Sequence, residues 1–189
     1  MAALAGIIRR GGRVLGALLA MAGPLAGLAG CAPPPAPPGV TVPSLNLVLF
    51  QGLWHEIAST HPWRQQGCVC SQTRYTLHGD EVVMRETCRV SSPQGREYSR
   101  VAIARPLKKA GDAQWVVSRF WPFEDGYWVL GLALDQRWAV VGSPDRQDLW
   151  ILARAPRLDP ADYQMAVDIA SQKGWPVKRL QPSRQGCVD

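Results

Sequence analysis

The side chains best suited to covalent or metal chemistry are five cysteines in a chain of 189 residues. Cys68, Cys70, Cys88 and Cys187 form an even set, whereas Cys31 stands apart near the amino terminus. A redox or metal site at the Cys-x-Cys pair is one hypothesis, but its spacing is not that of standard zinc sites. Disulfides are the favoured hypothesis for an exported chain, and four cysteines allow three connectivities.

Motifs for hydrolysis or phosphoryl transfer are missing from the sequence, which has no Gly-x-Ser-x-Gly elbow, phosphate-binding loop or His-Glu-x-x-His motif. His55 and Glu56 are adjacent, but neighbours on a strand point to opposite faces and are poorly placed for shared proton transfer. His61 precedes Pro62 in a predicted loop. We therefore expect a binding protein rather than an enzyme, with no catalytic residue, no metal and no cofactor.

The distribution of charge argues against a nucleic-acid partner. Three of the 21 basic residues, Arg9, Arg10 and Arg13, lie in the first thirty positions, whereas all 15 acidic residues follow Cys31. The rest of the chain is only slightly basic and has no cluster of more than two or three basic residues. The eight tryptophans are spread along the sequence, which favours an aromatic-lined interior or cleft.

Residues 1–30 resemble the signal peptide of a bacterial lipoprotein precursor. Basic residues precede an apolar run at 14–22, which is shorter than the about 20 residues of a membrane span. The sequence Leu-Ala-Gly-Cys at 28–31 resembles the lipobox, whose cysteine is diacylated. The resemblance implies a membrane anchor at Cys31, and Ala32 after it favours the outer membrane. Residues 31–44 are rich in proline and predict a stiff linker.

The remaining residues, 45–189, show short apolar or alternating runs that are separated by turn residues. Strands are predicted at 54–59, 70–77, 82–90, 98–105, 114–120, 127–135, 138–142 and 149–154. Short connections between consecutive strands favour an all-β, eight-stranded up-and-down antiparallel barrel over a βαβ fold. Such a barrel is wide enough to hold one small ligand or to be filled by side chains.

One strong helix signal comes late in the chain. Asp159 is a good N-cap, Pro160 suits the first turn, and Gly174 suits the position after the last turn. Tyr163, Val167 and Ala170 recur at helical spacing, so this α-helix is expected to pack on the outside of the barrel. Residues 177–180 predict a short extra strand.

Three motifs resemble those of the lipocalin family. Residues 52–58, Gly-Leu-Trp-His-Glu-Ile-Ala, are similar to its first motif, and residues 149–156 are similar to its third, which ends in an arginine. Asp135, followed by Trp138, is a degraded form of the middle motif. Shorter matches at 75–77, 121–127 and 144–146 resemble the bacterial outer-membrane lipocalins and apolipoprotein D.

The lipocalin resemblance implies structural roles for the motif residues Gly52, Trp54, Asp135 and Arg154. In the family, the tryptophan of the first motif lies at the closed end of the barrel and the arginine of the third motif covers its ring. It also implies the disulfides Cys70–Cys187 and Cys68–Cys88, although register alone would permit Cys70–Cys88.

Pocket residues follow partly from the resemblance and partly from side-chain type. Tyr75 and Trp150 match positions that point into the cavity of apolipoprotein D, and strand alternation places Leu152 on the face of Trp150. Further candidates from aromaticity or size are Met84, Tyr98, Phe120 and Trp128. An inward arginine near the mouth, from the set Arg85, Arg100 and Arg119, would hold a carboxylate or phosphate.

The first functional hypothesis is a lipid-anchored lipocalin, monomer or homodimer, that stores or transports a hydrophobic ligand at the bacterial envelope. The resemblance implies a fatty acid or a lysophospholipid as this ligand. The second hypothesis is a structural or interaction lipoprotein whose barrel is filled by its own side chains. A third, less favoured hypothesis is a lipid-modifying enzyme, which would need a titratable group with a shifted pKa beside the pocket.

Overall fold

The computed structural model describes residues 36–60, 65–107, 113–120 and 122–187, so the leader, Cys31 and His61 lie outside the described residues. In chain order its elements are α1 (Leu47–Phe50), β1 (Gly52–Ser59), β2 (Cys68–His78), β3 (Glu81–Val90), β4 (Glu97–Pro106), β5 (Gln114–Phe120), β6 (Phe123–Leu132), β7 (Trp138–Gly142), β8 (Leu149–Ala153), α2 (Pro160–Gln172), a 3₁₀-helix (Val177–Arg179) and β9 (Gln181–Pro182).

Strands β1 to β8 form a closed antiparallel barrel. Each strand pairs with the next along the chain, and β1 pairs with both β2 and β8. The eight-stranded barrel and the carboxyl-terminal α-helix predicted from the sequence are thereby confirmed. We call the end with α1 and the β2–β3 turn the closed end, and the end with the β5–β6 hairpin the open end.

Alternating side chains along each strand create two apolar clusters, one inside the barrel and one outside. On β3, for example, Val82 and Met84 are buried inside, whereas Arg85 is exposed. The outer cluster lies between the barrel wall and α2, where Ala166 and Ala170 are buried. The interior and the helix-covered wall are therefore separate layers.

Helix α2 begins and ends as its sequence predicts. The Asp159 side chain accepts a hydrogen bond from the backbone of Ala161, Pro160 starts the helix, and Gly174 follows it with φ of 87°. Close approach to the wall requires Gly131, since a Cβ there would lie 2.9 Å from the Ile169 side chain.

The described part of the proline-rich stretch is bound to the barrel, whereas its composition predicts a stiff, extended spacer. Residues 36–46, which we call the strap, lie against the barrel wall. The Lys173 ammonium donates to the carbonyls of Val40 and Leu130 at 2.8 and 2.7 Å, and Val42 N donates to Val129 O at 2.9 Å. Proline prevents helix formation, but it leaves carbonyl oxygens free to accept such bonds. The residues bound to the barrel therefore include some that precede the domain boundary predicted at 45.

The segment after α2 differs from the predicted strand at 177–180. Pro176 begins a 3₁₀ turn in which Arg179 N donates to Pro176 O, and only Gln181–Pro182 pair with β1. Beyond it, Ser183 N donates to Ile57 O while Cys70 N donates to Arg184 O. Residues 181–184 thus fill the gap where β1 and β2 separate towards the open end.

Candidate functional site

The closed end of the barrel is sealed by an arginine stacked on a tryptophan. The guanidinium carbon of Arg154 lies 3.9 Å from the Trp54 ring centroid, and Trp54 is fully buried. Arg154 also donates to the carbonyls of Leu49, Gln51 and Leu53 at 2.6, 2.7 and 3.2 Å. Burial lowers the pKa of Arg154, but an arginine keeps its charge at any physiological pH.

Gly52 makes this seal possible. Its φ of 96° lies in the region that favours glycine, and a Cβ there would lie 3.2 Å from Arg154 Nη1. Trp54 completes the arrangement by donating from Nε1 to Phe50 O at 2.8 Å. Gly52, Trp54 and Arg154 therefore close the floor of the barrel.

Aromatic rings fill the half of the interior next to the floor. Phe50 lies 4.7 Å from Trp54 between ring centroids, Tyr75 lies 5.8 Å from Trp115, and Trp115 stacks on Tyr127 at 5.5 Å. The hydroxyls of Tyr75 and Tyr127 are hydrogen-bonded to each other. Burial raises the pKa of both tyrosines, so both stay protonated.

A charged network lies above these rings, towards the open end. Arg119 donates to Glu86 at 3.0 Å and to Asp125 at 3.1 Å, and Arg100 donates to the same Glu86 carboxylate. Burial alone would raise the pKa of Glu86, but the two arginines outweigh it and lower the pKa below its ordinary value. Burial alone would lower the pKa of Arg119, but the nearby Glu86 carboxylate outweighs burial and raises this pKa above its ordinary value.

These shifts move both groups of the ion pair away from neutral pH. A general acid or base works best with a pKa near the operating pH, which is the opposite arrangement. The network therefore offers fixed charge for binding rather than a transferable proton. Arg119 Nε is buried and has no hydrogen-bond partner among the described residues.

The open half of the interior contains a cavity of about 40 Å³ beside this network. Trp150, Leu152 and Tyr127 form its apolar wall, and Glu86, Arg100, Arg119 and Glu56 are among its polar groups. A volume of 40 Å³ holds about one water molecule, whereas pockets for organic ligands typically measure about 300–1,000 Å³. A ligand larger than water therefore requires side chains at the open end to move.

The far wall of the cavity is held by polar contacts. Gln65 donates from Nε2 to Glu56 at 3.0 Å and accepts from Trp150 Nε1 at 3.0 Å. Ser183, from the segment between β1 and β2, also donates to Glu56. His55 points to the other side of β1, where its ring lies 3.4 Å from the Gln72 amide. His55 and Glu56 thus lie on opposite faces.

Three of the seven residues predicted to line the pocket border the cavity, and two more are buried elsewhere in the interior. Tyr75 and Met84 are buried in the interior, and Trp150 and Leu152 line the cavity. Tyr98 is 43% exposed at the cavity rim. Of the three candidate arginines, Arg100 and Arg119 face inward, whereas Arg85 is exposed.

Two of the predicted pocket residues lie elsewhere. Trp128 faces outward and packs on Trp175 beneath α2, with ring centroids 6.3 Å apart, because its neighbours Tyr127 and Val129 occupy the inner face of β6. Phe120 is 74% exposed at the end of β5 and stacks on Phe123 instead of on the cavity. Aromaticity alone could not distinguish the inner face from the outer face.

The sequence analysis missed Glu86, Trp115 and Tyr127. The signal for Glu86 was its position two residues after Met84, which places both side chains on one face of β3. Asp135 takes no part in the interior: it accepts from Arg137, which also binds Asp162 of α2 and so ties the β6–β7 turn to the helix.

Both disulfides lie near the open end. Cys68 is joined to Cys88 and Cys70 to Cys187, with Cα atoms 5.5 and 6.2 Å apart, which is the connectivity that the resemblance implied. The first links β2 to β3, and the second fixes the carboxyl-terminal segment against β2. Cys68 and Cys88 also border the cavity.

A family model described as a lipocalin-like domain matches residues 45–185. The chain belongs to the lipocalin family. This lipocalin is 30% identical over 158 residues to the outer membrane lipoprotein Blc of Escherichia coli K12, covering 79% of this chain and 85% of Blc. It is 28% identical over 154 residues to temperature-induced lipocalin-1 of Arabidopsis thaliana, covering 76% and 81% of the two chains.

Solved structures agree on the fold of this lipocalin. Insecticyanin from the tobacco hornworm Manduca sexta superposes with a TM-score of 0.65 at 16% identity, covering 82% of this chain and 88% of insecticyanin. Lipocalins are in general proteins that bind small hydrophobic ligands rather than enzymes. Within the described part of this lipocalin, no helix is long and apolar enough to cross a membrane.

Proposed function

We propose that this lipocalin is a lipid-anchored carrier of the bacterial envelope that binds a fatty acid or a lysophospholipid at the open end of its barrel. The observation that carries the proposal is the meeting of two kinds of surface in one cavity. Trp150 and Leu152 supply apolar area, and Arg100 and Arg119 supply cations. An amphiphile uses both, because its chain gains about 0.8 kcal/mol per buried methylene and its head forms charge-assisted hydrogen bonds with guanidinium groups.

The anionic head is expected to bind Arg100 rather than Arg119. The Arg100 side chain is 22% exposed and has Glu86 as its ion-pair partner, whereas Arg119 is 15% exposed and held by both Glu86 and Asp125. An incoming carboxylate or phosphate competes with Glu86 for Arg100 at lower cost, because fewer existing contacts are lost.

The acyl chain needs more room than the cavity provides. Tyr98 at the rim and Trp150 on the wall are the large side chains whose movement would enlarge it. If they do not move, the small cavity favours the second candidate function, a structural or interaction lipoprotein with a filled barrel. The two candidates differ in whether the barrel takes up an amphiphile.

Anchoring at a diacylated Cys31 and location at the outer membrane belong to the same proposal. The lipobox at 28–31 supports the anchor, and the Blc relatives, which are outer membrane lipoproteins, support the location. Intact-protein mass spectrometry tests the anchor, because a mature chain that begins at Cys31 with added acyl mass is expected. A protein that retains residues 1–30, or begins at an unmodified residue, contradicts it.

Native mass spectrometry of the freshly purified protein tests the carrier proposal, with a co-purified amphiphile as the expected result. Displacement of a fluorescent fatty acid then tests the head-group site. Arg100→Ala is expected to weaken binding about tenfold or more, since a charged hydrogen bond contributes about 1.5–3 kcal/mol. Arg85→Ala is the matched control, because Arg85 is exposed on the neighbouring strand.

Two results would overturn the carrier proposal. The first is the absence of any bound amphiphile together with no saturable binding of the fluorescent fatty acid, which supports the filled barrel. The second is equal weakening by Arg85→Ala and Arg100→Ala, which would place the binding surface outside the barrel.

A further inference from the structure

The β5–β6 hairpin carries two large apolar side chains that face solvent. Phe120 and Phe123 are 74% and 70% exposed, and their rings stack with centroids 6.4 Å apart. The two residues are paired across the hairpin at its tip. Exposure of two adjacent apolar rings to water is unfavourable, and such a patch marks a surface that gains free energy when it is buried against a partner or a membrane.

This apolar tip lies at the open end, next to the candidate binding site. Arg119, the residue before Phe120, reaches inward to Glu86. The other described turns at this end are polar: residues 91–96 read Ser-Ser-Pro-Gln-Gly-Arg and residues 143–148 read Ser-Pro-Asp-Arg-Gln-Asp. The exposed aromatic surface at the open end is thus concentrated in one hairpin among the described connections.

The strap limits how far this tip can be from a membrane that holds Cys31. Ala36 N donates to the Gln114 side chain at 2.6 Å, so the strap is fixed to the start of β5. Five peptide units separate Cys31 from Ala36 and span at most about 18 Å. Phe120 lies six residues along β5 from Gln114, about 20 Å at the rise of a strand. Because the strands of such a barrel tilt by about 40° from its axis, this distance is about 15 Å along the axis. An anchor at Cys31 and the hairpin tip can therefore reach the same bilayer surface.

We propose that Phe120 and Phe123 insert into the headgroup region of the bilayer that anchors Cys31, so that the open end of the barrel faces the lipid. Phenylalanine is among the apolar residues that peripheral proteins bury at the boundary between headgroups and acyl chains. One anchored point leaves the barrel free to rotate, and the tip supplies the second point that fixes its orientation. The inference rests on the proposed anchoring at Cys31, and it gives an amphiphile a direct path between the bilayer and the cavity.

Fluorine NMR tests the insertion, because the chain has only three phenylalanines. The full lipoprotein is labelled with 4-fluorophenylalanine and reconstituted into vesicles of phosphatidylethanolamine and phosphatidylglycerol. A nitroxide-labelled phospholipid is expected to broaden the Phe120 and Phe123 signals and to spare Phe50, which is 1% exposed inside the barrel. A water-soluble gadolinium chelate is expected to spare all three signals.

Two opposite results overturn the proposal. If the chelate broadens the Phe120 and Phe123 signals and the lipid label does not, the tip is in water. If neither reagent reaches them, another protein surface, such as a second copy of this chain, covers the tip.

Single variants give a matched comparison. In Phe120→Ser, the inserted population reported by Phe123 is expected to fall about tenfold or more, because one buried phenyl ring is lost. Leu134→Ser is the control, since Leu134 is fully exposed in the turn between β6 and β7 at the closed end. Equal effects of the two variants would contradict a role for the tip.

The measurement separates this inference from the anchor and from ligand binding. Mass spectrometry of Cys31 reports acylation independently of the tip. If Cys31 is not acylated, vesicles added to the labelled protein test the tip alone: broadening by the lipid label supports insertion and its absence overturns it. No step depends on a bound ligand.

Discussion

Arg154 holds the closed end together through a ring and three backbone carbonyls. Its guanidinium covers Trp54 and donates to the carbonyls of Leu49 in α1, of Gln51 between α1 and β1, and of Leu53 in β1. A planar group with five donors can make all these contacts at once, whereas an ammonium cannot. A single side chain from β8 thereby positions the whole amino-terminal end of the barrel.

Arg154→Ala is expected to lower the free energy of unfolding by about 3 kcal/mol, through the cation–π contact and the hydrogen bonds from a charged donor. Arg154→Lys is expected to recover less than half of this loss. Urea unfolding followed by tryptophan fluorescence measures both, with exposed Arg157→Ala as the control. A loss below 1 kcal/mol for Arg154→Ala would contradict the role.

Glu86 gives the interior a dependence on pH. Because the pKa of Glu86 is lowered in the folded protein, its stabilising effect is present above its ordinary pKa of 4.5 and is lost as the pH falls through the folded value. Glu86→Gln is therefore expected to cost about 3 kcal/mol at pH 7, since it leaves buried cations without their partner. This difference should shrink as the pH falls below 4.5 and disappear once the pH is below the folded pKa of Glu86.

Unfolding measured from pH 3 to pH 7 tests this, with Glu97→Gln as the control. Glu97 pairs with Arg89 at 3.5 Å and its side chain is 57% exposed, so its loss is expected to cost less than about 1 kcal/mol. A wild-type and Glu86→Gln difference that is the same at pH 3 and pH 7 would exclude the charge of Glu86 as its cause.

At the scale of single residues, the sequence predicted the face of the strand on which a side chain lies better than it predicted the contacts of that side chain. The family resemblance placed Trp150 on the inner face, and strand alternation then placed Leu152 beside it. Trp128 was misplaced because aromaticity carries no information about the side of a strand. Arg119 was named as a possible inward cation, but its partner Glu86 comes from a strand more than thirty residues earlier in the chain.

Among the elements, the strap differs most from what its composition predicts. Prolines correctly exclude helix and central strand from residues 36–46, yet they do not indicate whether the chain is free or bound to a surface. What fixes the strap is Lys173, which lies 133 residues after Val40 in sequence, together with the Gln114 side chain. No local pattern contains such a contact. Burial lowers the pKa of Lys173, which accords with its partly enclosed position.

Lys173→Ala is expected to release the strap without unfolding the barrel. Two hydrogen bonds from a charged donor are lost, so the protection of the Val42 amide against hydrogen exchange should fall about tenfold or more. Lys178→Ala, at an exposed position in the 3₁₀-helix, is the matched control. Unchanged protection of Val42 in Lys173→Ala would show that the strap is held by other contacts.

For the whole molecule, the eight strands were predictable because each one is a short apolar or alternating run that ends at recognisable turn residues. The bulges between Glu56 and Ala58 and between Val129 and Gly131 were not, since they depend on how neighbouring strands are paired. The seam between β1 and β2, filled by residues 181–184, was also unpredictable. It requires a segment more than a hundred residues away, which the Cys70–Cys187 disulfide holds in place.

Loss of this disulfide is expected to loosen the seam. The double variant Cys70→Ser with Cys187→Ser should lower the free energy of unfolding by about 2–5 kcal/mol and increase hydrogen exchange at Ser183. The double variant Cys68→Ser with Cys88→Ser is the control. The disulfide that it removes closes a loop of 20 residues rather than 117, so its loss should leave the Ser183 amide protected. Equal exchange at Ser183 in both variants would contradict the inference that the Cys70–Cys187 disulfide holds residues 181–184 in the seam.

The sealed floor also limits the path by which a ligand could enter and leave the barrel. With Trp54 beneath Arg154 and a packed layer of rings above it, the barrel is a blind well rather than a tunnel. A ligand that enters the barrel must leave through the same open end, so one molecule cannot bind while another is released. A barrel with one opening must release its ligand before it can bind the next.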